Sequence, residues 1–369
     1  MSKVYLVKSK QSESGTIETL PKFEWIQIIE DTGPELKSIL ERNEKVAIIS
    51  ESSIANVLSS LEQSNPKRRA IELFKDKFLF RKLIKDEEFK VKEVAFRDIS
   101  KLQVKNKSVL KPLKGCFGTA VKIVDESTNF EKLEKEIQNE IEKNGSIFSE
   151  NVLTSNEFII EDFIEGEEYA VDMFYNSEGK PCIVNIYHHP LPKHEHYLHM
   201  IYYSSMKTFD EIYPLAKLFF ERLNEKISVT DFPMHCEFKL IGNKLIPIEI
   251  NAMRFGGMGL GNLAYHSFGV NPYRFFLEGR EPNWTEVFKN LDDDLRFVYF
   301  IAYNSFSKDI RTNFPKIQKL RDEFTEIKFE QLFDYQKQLA FGVFCLQENQ
   351  ENLNRLLQIN FDDFFEPII

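Results

Sequence analysis

Cysteine is scarce: four residues in 369, at Cys116, Cys182, Cys236 and Cys345. They are scattered, with no C-x-x-C pair and no zinc-type spacing, which argues against a cysteine-built metal module. Reduced thiols in a cytoplasmic protein are the expectation. Long apolar runs are missing as well. No stretch reaches the roughly 20 residues that a membrane-crossing helix needs. The opening MSKVYLVKSKQSESG has no signal-peptide core, so no membrane partner is expected. Nor is there a surplus of positive charge. Lys and Arg number 48 against 58 Asp and Glu, a net charge of −10, which argues against nucleic-acid binding through a basic surface. Repeats and low-complexity tracts are absent too.

What is there is ordinary for a globular protein: 42% hydrophobic and 29% charged residues. The length allows two or three units with their own cores. The 34 phenylalanines are expected to fill those cores. By periodicity the first section is a small α/β unit, with strands at Val4–Val7 and Val46–Ile49 and helices at Glu35–Glu41 and Ile54–Leu61. A cation-rich amphipathic helix is expected over Leu73–Lys82. Thr128 and Glu131 form a capping-box pattern ahead of a helix whose apolar stripe is Phe130, Leu133, Ile137 and Ile141. Strands are expected at Glu157–Phe163, Glu168–Tyr175 and Cys182–Tyr187, and a helix at Phe209–Leu223. After a break near Gly279–Asn283 the pattern alternates again. Arg296–Tyr303 and Leu339–Leu346 read as strands, Lys316–Glu323 and Gln350–Leu357 as helices. The chain thus divides into α/β and α+β sections at 1–70, 71–280 and 281–369.

The most informative stretch is His235–Gly257, HCEFKLIGNKLIPIEINAMRFGG. Two alternating segments flank Ile241-Gly242-Asn243-Lys244, a strong hairpin signal. Glu249 and Asn251 share one strand face and Ile248 and Ile250 the other. A strict two-residue turn would pair Glu237 with Ile248. A one-residue bulge, for which Pro247 is a natural place, would bring Glu237 opposite Glu249 instead. Two carboxylates and an amide then form a hard-oxygen cluster that suits Mg²⁺, with water and phosphates supplying the other ligands. By itself the same pattern also fits a solvated hairpin.

Lys111-Pro112-Leu113-Lys114-Gly115-Cys116-Phe117-Gly118-Thr119-Ala120-Val121 joins two strand-like segments, Ser108–Leu110 and Ile123–Val124. It opens no helix and lacks G-x-x-x-x-G-K-[ST], so it is neither a Walker loop nor a dinucleotide fingerprint. Gly115 and Gly118 would let backbone N–H groups approach an anion. Lys111 would set a cation beside it, and Lys77 is a second candidate phosphate contact. Each motif alone also fits a plain turn or a solvated lysine.

The ordered set resembles the ATP-grasp superfamily of carboxylate–amine ligases: Asp76-Lys77, Lys111-Pro112 with its glycine loop, EDFIEGEEYAVD from Glu161 to Asp172, Glu237, then Glu249-x-Asn251. The resemblance spans about Ile71–Gly279. It implies a pre-ATP-grasp domain at 1–70, an ATP-grasp domain at 71–280 hinged near 161–168, and at 281–369 an appendage similar to that of bacterial L-amino-acid ligases. It also implies roles. The Asp162 carbonyl and the Ile164 N–H would meet adenine, Glu161 would support that edge, and Glu168 would bind the ribose. Lys77, Lys111, Gly115 and Gly118 would contact phosphates. Glu237, Glu249 and Asn251 would ligate Mg²⁺, with Mn²⁺ as a substitute. Arg254, Gly256 and Gly257 would form the substrate loop, Arg254 stabilising the oxyanion. The implied reaction is ATP-dependent amide or peptide formation through an acyl phosphate, on an amino acid or other small carboxylate, in a protein whose relatives are often homodimers. The glycine loop departs from many relatives in lacking a serine and a second adjacent glycine, and His235 stands where several carry arginine.

Five of seven histidines, His188, His189, His194, His196 and His199, crowd one segment. Pro190 and Pro192 mark it as a loop rather than a helix face with metal-ligand spacing. A substrate contact by His188 or His189 stays open. So do two other functional readings. One is the same fold with another acceptor, as in carboxylases or carbamoyl-phosphate enzymes, although no biotin-carrier lysine or glutaminase unit is visible. The other is a nucleotide-binding protein without ligase activity.

Overall fold

The computed structural model describes residues 2–9, 15–84, 90–114, 120–144 and 156–368. The first unit is a three-stranded parallel sheet of order β2-β1-β3, from β1 (Val4–Lys8), β2 (Ile26–Glu30) and β3 (Lys45–Ile48). Helices α1 (Gly15–Glu18), α2 (Glu35–Glu41) and α3 (Ile54–Ser60) connect and follow these strands. Parallel strands need such crossovers. β2 escaped the periodicity reading because IQIIE carries apolar side chains on both faces, as strands in parallel sheets do.

The helix expected over 73–82 is two helices, α4 (Pro66–Lys75) and α5 (Lys77–Ile84). Asp76 breaks it, with extended backbone at φ −93° and ψ 101°. Its carboxylate caps α5 by accepting from the N–H groups of Phe78 and Leu79, at 3.0 and 2.9 Å. Aspartate competes with the helix backbone in this way and so favours caps over helix interiors. The break matters for position: the Lys77 N–H donates to the Leu113 carbonyl at 3.2 Å, tying α5 to the end of a strand in the next unit.

That unit is a four-stranded antiparallel sheet of order β4-β7-β5-β6, with β4 (Val91–Ala95), β5 (Ser108–Pro112), β6 (Lys122–Val124) and β7 (Glu157–Asp162). Helix α6 (Phe130–Asn144) supports it, with Phe130, Leu133 and Ile137 buried in the unit's core and Ile141 packed against it. The expected capping box does not form. Asn129 caps the helix, its side chain accepting from the Lys132 N–H at 3.0 Å, while the Thr128 hydroxyl accepts from the Asp125 N–H at 2.9 Å.

From β7 the chain crosses at 163–166 into an eight-stranded antiparallel sheet of order β12-β11-β8-β9-β10-β13-β16-β15. Its strands are β8 (Glu167–Tyr175), β9 (Pro181–His188), β10 (Ile201–Ser204), β11 (Phe232–Ile241), β12 (Lys244–Ala252), β13 (Arg296–Tyr303), β15 (Glu326–Leu332) and β16 (Ala340–Glu348). β14 (Asn313–Pro315) pairs apart with β17 (Phe365–Pro367). One sheet therefore runs without interruption from the acidic hairpin into the C-terminal section. Helix α7 (Met206–Ile227) buries Phe209, Ile212, Ala216 and Phe220 against the sheet. The short helices α8 (Leu263–Phe268), α9 (Pro272–Glu278) and α10 (Trp284–Phe288) follow β12, and α11 (Ile317–Arg321) and α12 (Gln350–Leu356) complete the C-terminal section. The three described cysteines, Cys182, Cys236 and Cys345, are buried and free. No helix among the described residues is long and apolar enough to cross a membrane.

Candidate active site

The acidic hairpin has the bulged register. Ile241 pairs with Lys244, and Gly242 at φ +55° supplies the left-handed conformation that the tight reversal needs. Phe238 lies opposite Pro247 but Glu237 lies opposite Glu249, so Ile248 is the extra residue of the bulge. The Pro247 carbonyl accepts from Arg81 Nη1 at 2.5 Å. Two residues further along the same pair of strands, His235 lies opposite Asn251. Alternation then puts His235, Glu237, Glu249 and Asn251 on one face.

Two facing carboxylates are poor for stability: like charges directly opposite across a ladder destabilise it, and more strongly when buried. Burial, then Glu249, pushes Glu237 well above the usual carboxylate range. Burial opposes ionisation of Glu249 as well, but Lys77, 3.1 Å away, and then Lys75 bring it below that range. An added divalent cation would relieve the opposition, and two carboxylates with an amide fit Mg²⁺ in donor type. The set is no dense metal cage. Among the described residues no group of three His, Cys, Asp or Glu side chains could hold a metal, which leaves most of the coordination sphere to water and phosphate oxygens.

These residues line a cavity of about 510 Å³, in the usual range for ligand sites. Lys77 lines it from α5, and Lys111 and Glu161 from the four-stranded sheet. Asp162 at the end of β7, Ile164 in the crossing, and Arg254 and Gly257 also line it. Two predicted residues stand just behind this wall. The Gly256 N–H donates to Asp172 at 2.9 Å. Glu168 accepts from Lys239, itself a wall residue, at 2.9 Å. Gly115 and Gly118 lie outside the described residues, but their flanks behave as expected: Ser108 pairs with Val124, so the loop joins two antiparallel strands.

The cavity is dense in paired charge. Burial opposes ionisation of Glu161, but Lys111 and Arg81 hold it at about 2. Arg81 grips it with two bonds of 2.7 and 3.2 Å. Burial pulls the Lys111 ammonium down, against the effect of Glu161. Glu168 is likewise held at about 2 against burial, by His189 first and then Lys239. At the Arg254 end, Glu51 from the first unit bridges Lys75 and Arg254, the latter at 3.2 Å. Burial of Glu51 is outweighed by those two cations, which keep it at about 2.

Reading the sequence did not assign Arg81, Glu51, Lys75 or Asp172. Asp172 is wholly buried and accepts from His235 Nδ1 at 2.8 Å, the Tyr187 hydroxyl at 2.7 Å and the Gly256 N–H. It thus fixes His235 with Nε2 toward Glu237, 3.7 Å away, and anchors the Arg254 loop. That loop carries backbone strain, with Met253 at φ +63° and Met258 at φ +53°. Such residues persist only where surrounding contacts over-determine them. Ile48 N–H donates to the Met253 carbonyl at 2.7 Å, and the Tyr299 hydroxyl to the Met258 carbonyl at 2.5 Å. The signal for Asp172 was its alternation with Glu168 along β8, on the strand that pairs with β11.

The histidine segment begins at His188, the last residue of β9, and continues as a loop. His188 pairs with Glu167 at 2.7 Å and Tyr203 at 2.6 Å, and His189 with Glu168 at 2.6 Å and the Leu198 carbonyl at 2.8 Å. His199 lines the cavity.

Residues 104–262 match the ATP-grasp domain family. No curated protein matches the sequence. Among solved structures, the L-amino acid ligase from Bacillus licheniformis is 14% identical with a TM-score of 0.65, over 100% of this chain and 98% of that one. N5-carboxyaminoimidazole synthetase from Staphylococcus aureus, complexed with ADP, is 13% identical with a TM-score of 0.59, over 96% and 95%. The biotin carboxylase domain of 2-oxoglutarate carboxylase from Hydrogenobacter thermophilus, in complex with MgADP, ADP and bicarbonate, is 12% identical with a TM-score of 0.58, over 96% and 89%. Residues 104–262 therefore carry an ATP-grasp domain, and the fold of the whole chain is shared with these solved structures.

Proposed function

We propose that this chain is an ATP-dependent carboxylate–amine ligase that forms an amide or peptide bond on an amino acid or other small carboxylate. The observation that carries the reading is the opposed Glu237–Glu249 pair with Asn251, lining one cavity with Lys77, Lys111 and Arg254. In this reading adenine meets the Asp162 carbonyl and the Ile164 N–H, Glu161 supports that edge, and Glu168 takes the ribose. Lys77, Lys111 and the Gly115–Gly118 loop take the phosphates. Glu237, Glu249 and Asn251 would hold Mg²⁺, or Mn²⁺ in its place. When bound, that ion neutralises charge on the phosphates during transfer.

A substrate carboxylate oxygen attacks the γ-phosphorus, the bond to the bridging oxygen of ADP breaks, and an acyl phosphate results. The amine then attacks the acyl carbon. Arg254 donates to the oxyanion that forms, phosphate departs with the C–O bond pair, and the amine proton passes to solvent. Asp172 keeps the Arg254 loop and His235 in register throughout. A division into 1–70, 71–280 and 281–369, a cytoplasmic location and a homodimer belong to the same proposal.

The test is release of ADP and phosphate from Mg·ATP over a matrix of amino-acid pairs, with products read by mass spectrometry. Pair-dependent release with an amide product is expected. Nucleotide binding without release under any pair would overturn the ligase reading.

A further inference from the structure

We infer that the carboxylate substrate carries a bulky apolar side chain, seated on an aromatic wall of Tyr202, Tyr299, Ile301 and Tyr303. This rests on the ligase reading and specifies its substrate. All four residues line the cavity that holds Glu237 and Arg254. Tyr299, Ile301 and Tyr303 alternate along β13, so they share one face. Tyr202 pairs with Tyr299 from β10.

The hydroxyls of Tyr202 and Tyr299 in this wall are already engaged. His189 stacks on Tyr202 with ring centroids 4.0 Å apart and planes 7° apart, covering one face of the ring. The Tyr202 hydroxyl pairs with His199 Nδ1 at 3.0 Å. The Tyr299 proton is committed to the Met258 carbonyl. Ile301 offers only methyl groups. A polar side chain placed here would lose its water with little to replace it, whereas an apolar one loses nothing by leaving water. The histidine segment thus has a physical role: it backs the wall.

The wall is also in the right place. Tyr187 bridges it to the acidic face, its ring centroid 6.5 Å from Tyr202 and 6.3 Å from His235. A substrate with its carboxylate near Glu237 and Arg254 would extend its side chain away from the phosphates onto this surface. The carboxylate end has a cation to match, Arg254, which lines the cavity.

The test uses the full chain with Mg·ATP and hydroxylamine, which traps an acyl phosphate as a hydroxamate. Glycine, alanine, leucine, phenylalanine and aspartate serve as acids. Leucine or phenylalanine should exceed alanine in kcat/KM by about tenfold or more, since each missing methylene in an apolar pocket costs roughly that much. Aspartate should be poorest. Ile301→Ala should raise KM for the best acid by about tenfold while KM for ATP holds. Hydroxamate formed equally well from glycine, alanine or aspartate would overturn the inference and leave the ligase reading standing. So would an Ile301→Ala enzyme with unchanged KM. Should that variant fail to fold, the wild-type ranking decides alone. No hydroxamate from any acid, with ADP still bound, would remove the ligase reading and this inference together.

Discussion

Glu51→Gln tests how the first unit is locked to the candidate catalytic loop. Glu51 is 11% exposed at its side chain and faces two cations, Lys75 and Arg254. Burial alone would raise its carboxyl, yet the two cations bring it from 4.5 to about 2. At about 1.4 kcal/mol per pH unit, that fall corresponds to about 3 kcal/mol of folding stability at neutral pH. Breaking a buried ion pair costs a similar amount, roughly 3–5 kcal/mol, because the partners stay buried. The sign follows from a depressed folded-state value. The contribution is complete above pH 4.5, declines as pH falls, and is gone near pH 2. Urea denaturation at pH 7 should show Glu51→Gln about 3 kcal/mol less stable than the parent. At pH 3.5 the gap should be about 1.4 kcal/mol smaller. A loss under about 1 kcal/mol at pH 7, or a gap that does not move with pH, would refute the reasoning.

Glu249→Gln should cut Mg²⁺-dependent ATP turnover by about a hundredfold or more, yet change stability far less, because the like charge it removes from opposite Glu237 and the pairing with Lys77 that it breaks act in opposite directions. Phosphate release against Mg²⁺ concentration and a urea melt check both halves, and undiminished turnover would end the metal assignment. Arg254→Ala should keep the dissociation constant for ATP while turnover falls on the order of a hundredfold, as losing one oxyanion donor typically does. Equilibrium binding beside steady-state rates separates the two, and normal turnover would remove Arg254 from the mechanism. ADP with Mg²⁺ at about 100 times its dissociation constant should add about 2.7 kcal/mol, seen as a rise in Tm that EDTA lowers. A Tm indifferent to chelation would argue against a divalent ion in the nucleotide site.

How far the sequence reveals this site depends on how local each signal is. The hairpin was legible because period-two alternation and a two-residue turn are short-range patterns, and counting across the turn shows that Glu237 meets Glu249 only with a one-residue bulge. The break at Asp76 was not, because Leu73–Lys82 is amphipathic on both sides of it, and a side-chain cap plus one bond to Leu113 decides the matter. Electrostatic partners were harder still. Arg81 reaches Glu161 across 80 residues and Arg254 reaches Glu51 across 203. Nothing in the pattern of a cationic helix or a Ser-rich turn says which distant carboxylate will be buried against it. Asp172 shows why such residues must be found by packing. It lies 63 residues from His235 and 84 from Gly256, and only the pairing of β8 with β11 sets it opposite the histidine. A fully buried carboxylate is tolerated only when hydrogen-bonded, and this one is held by a histidine, a tyrosine and a backbone amide. Its bonds join the acidic face to the Arg254 loop, so one buried side chain aligns the two halves of the proposed chemistry.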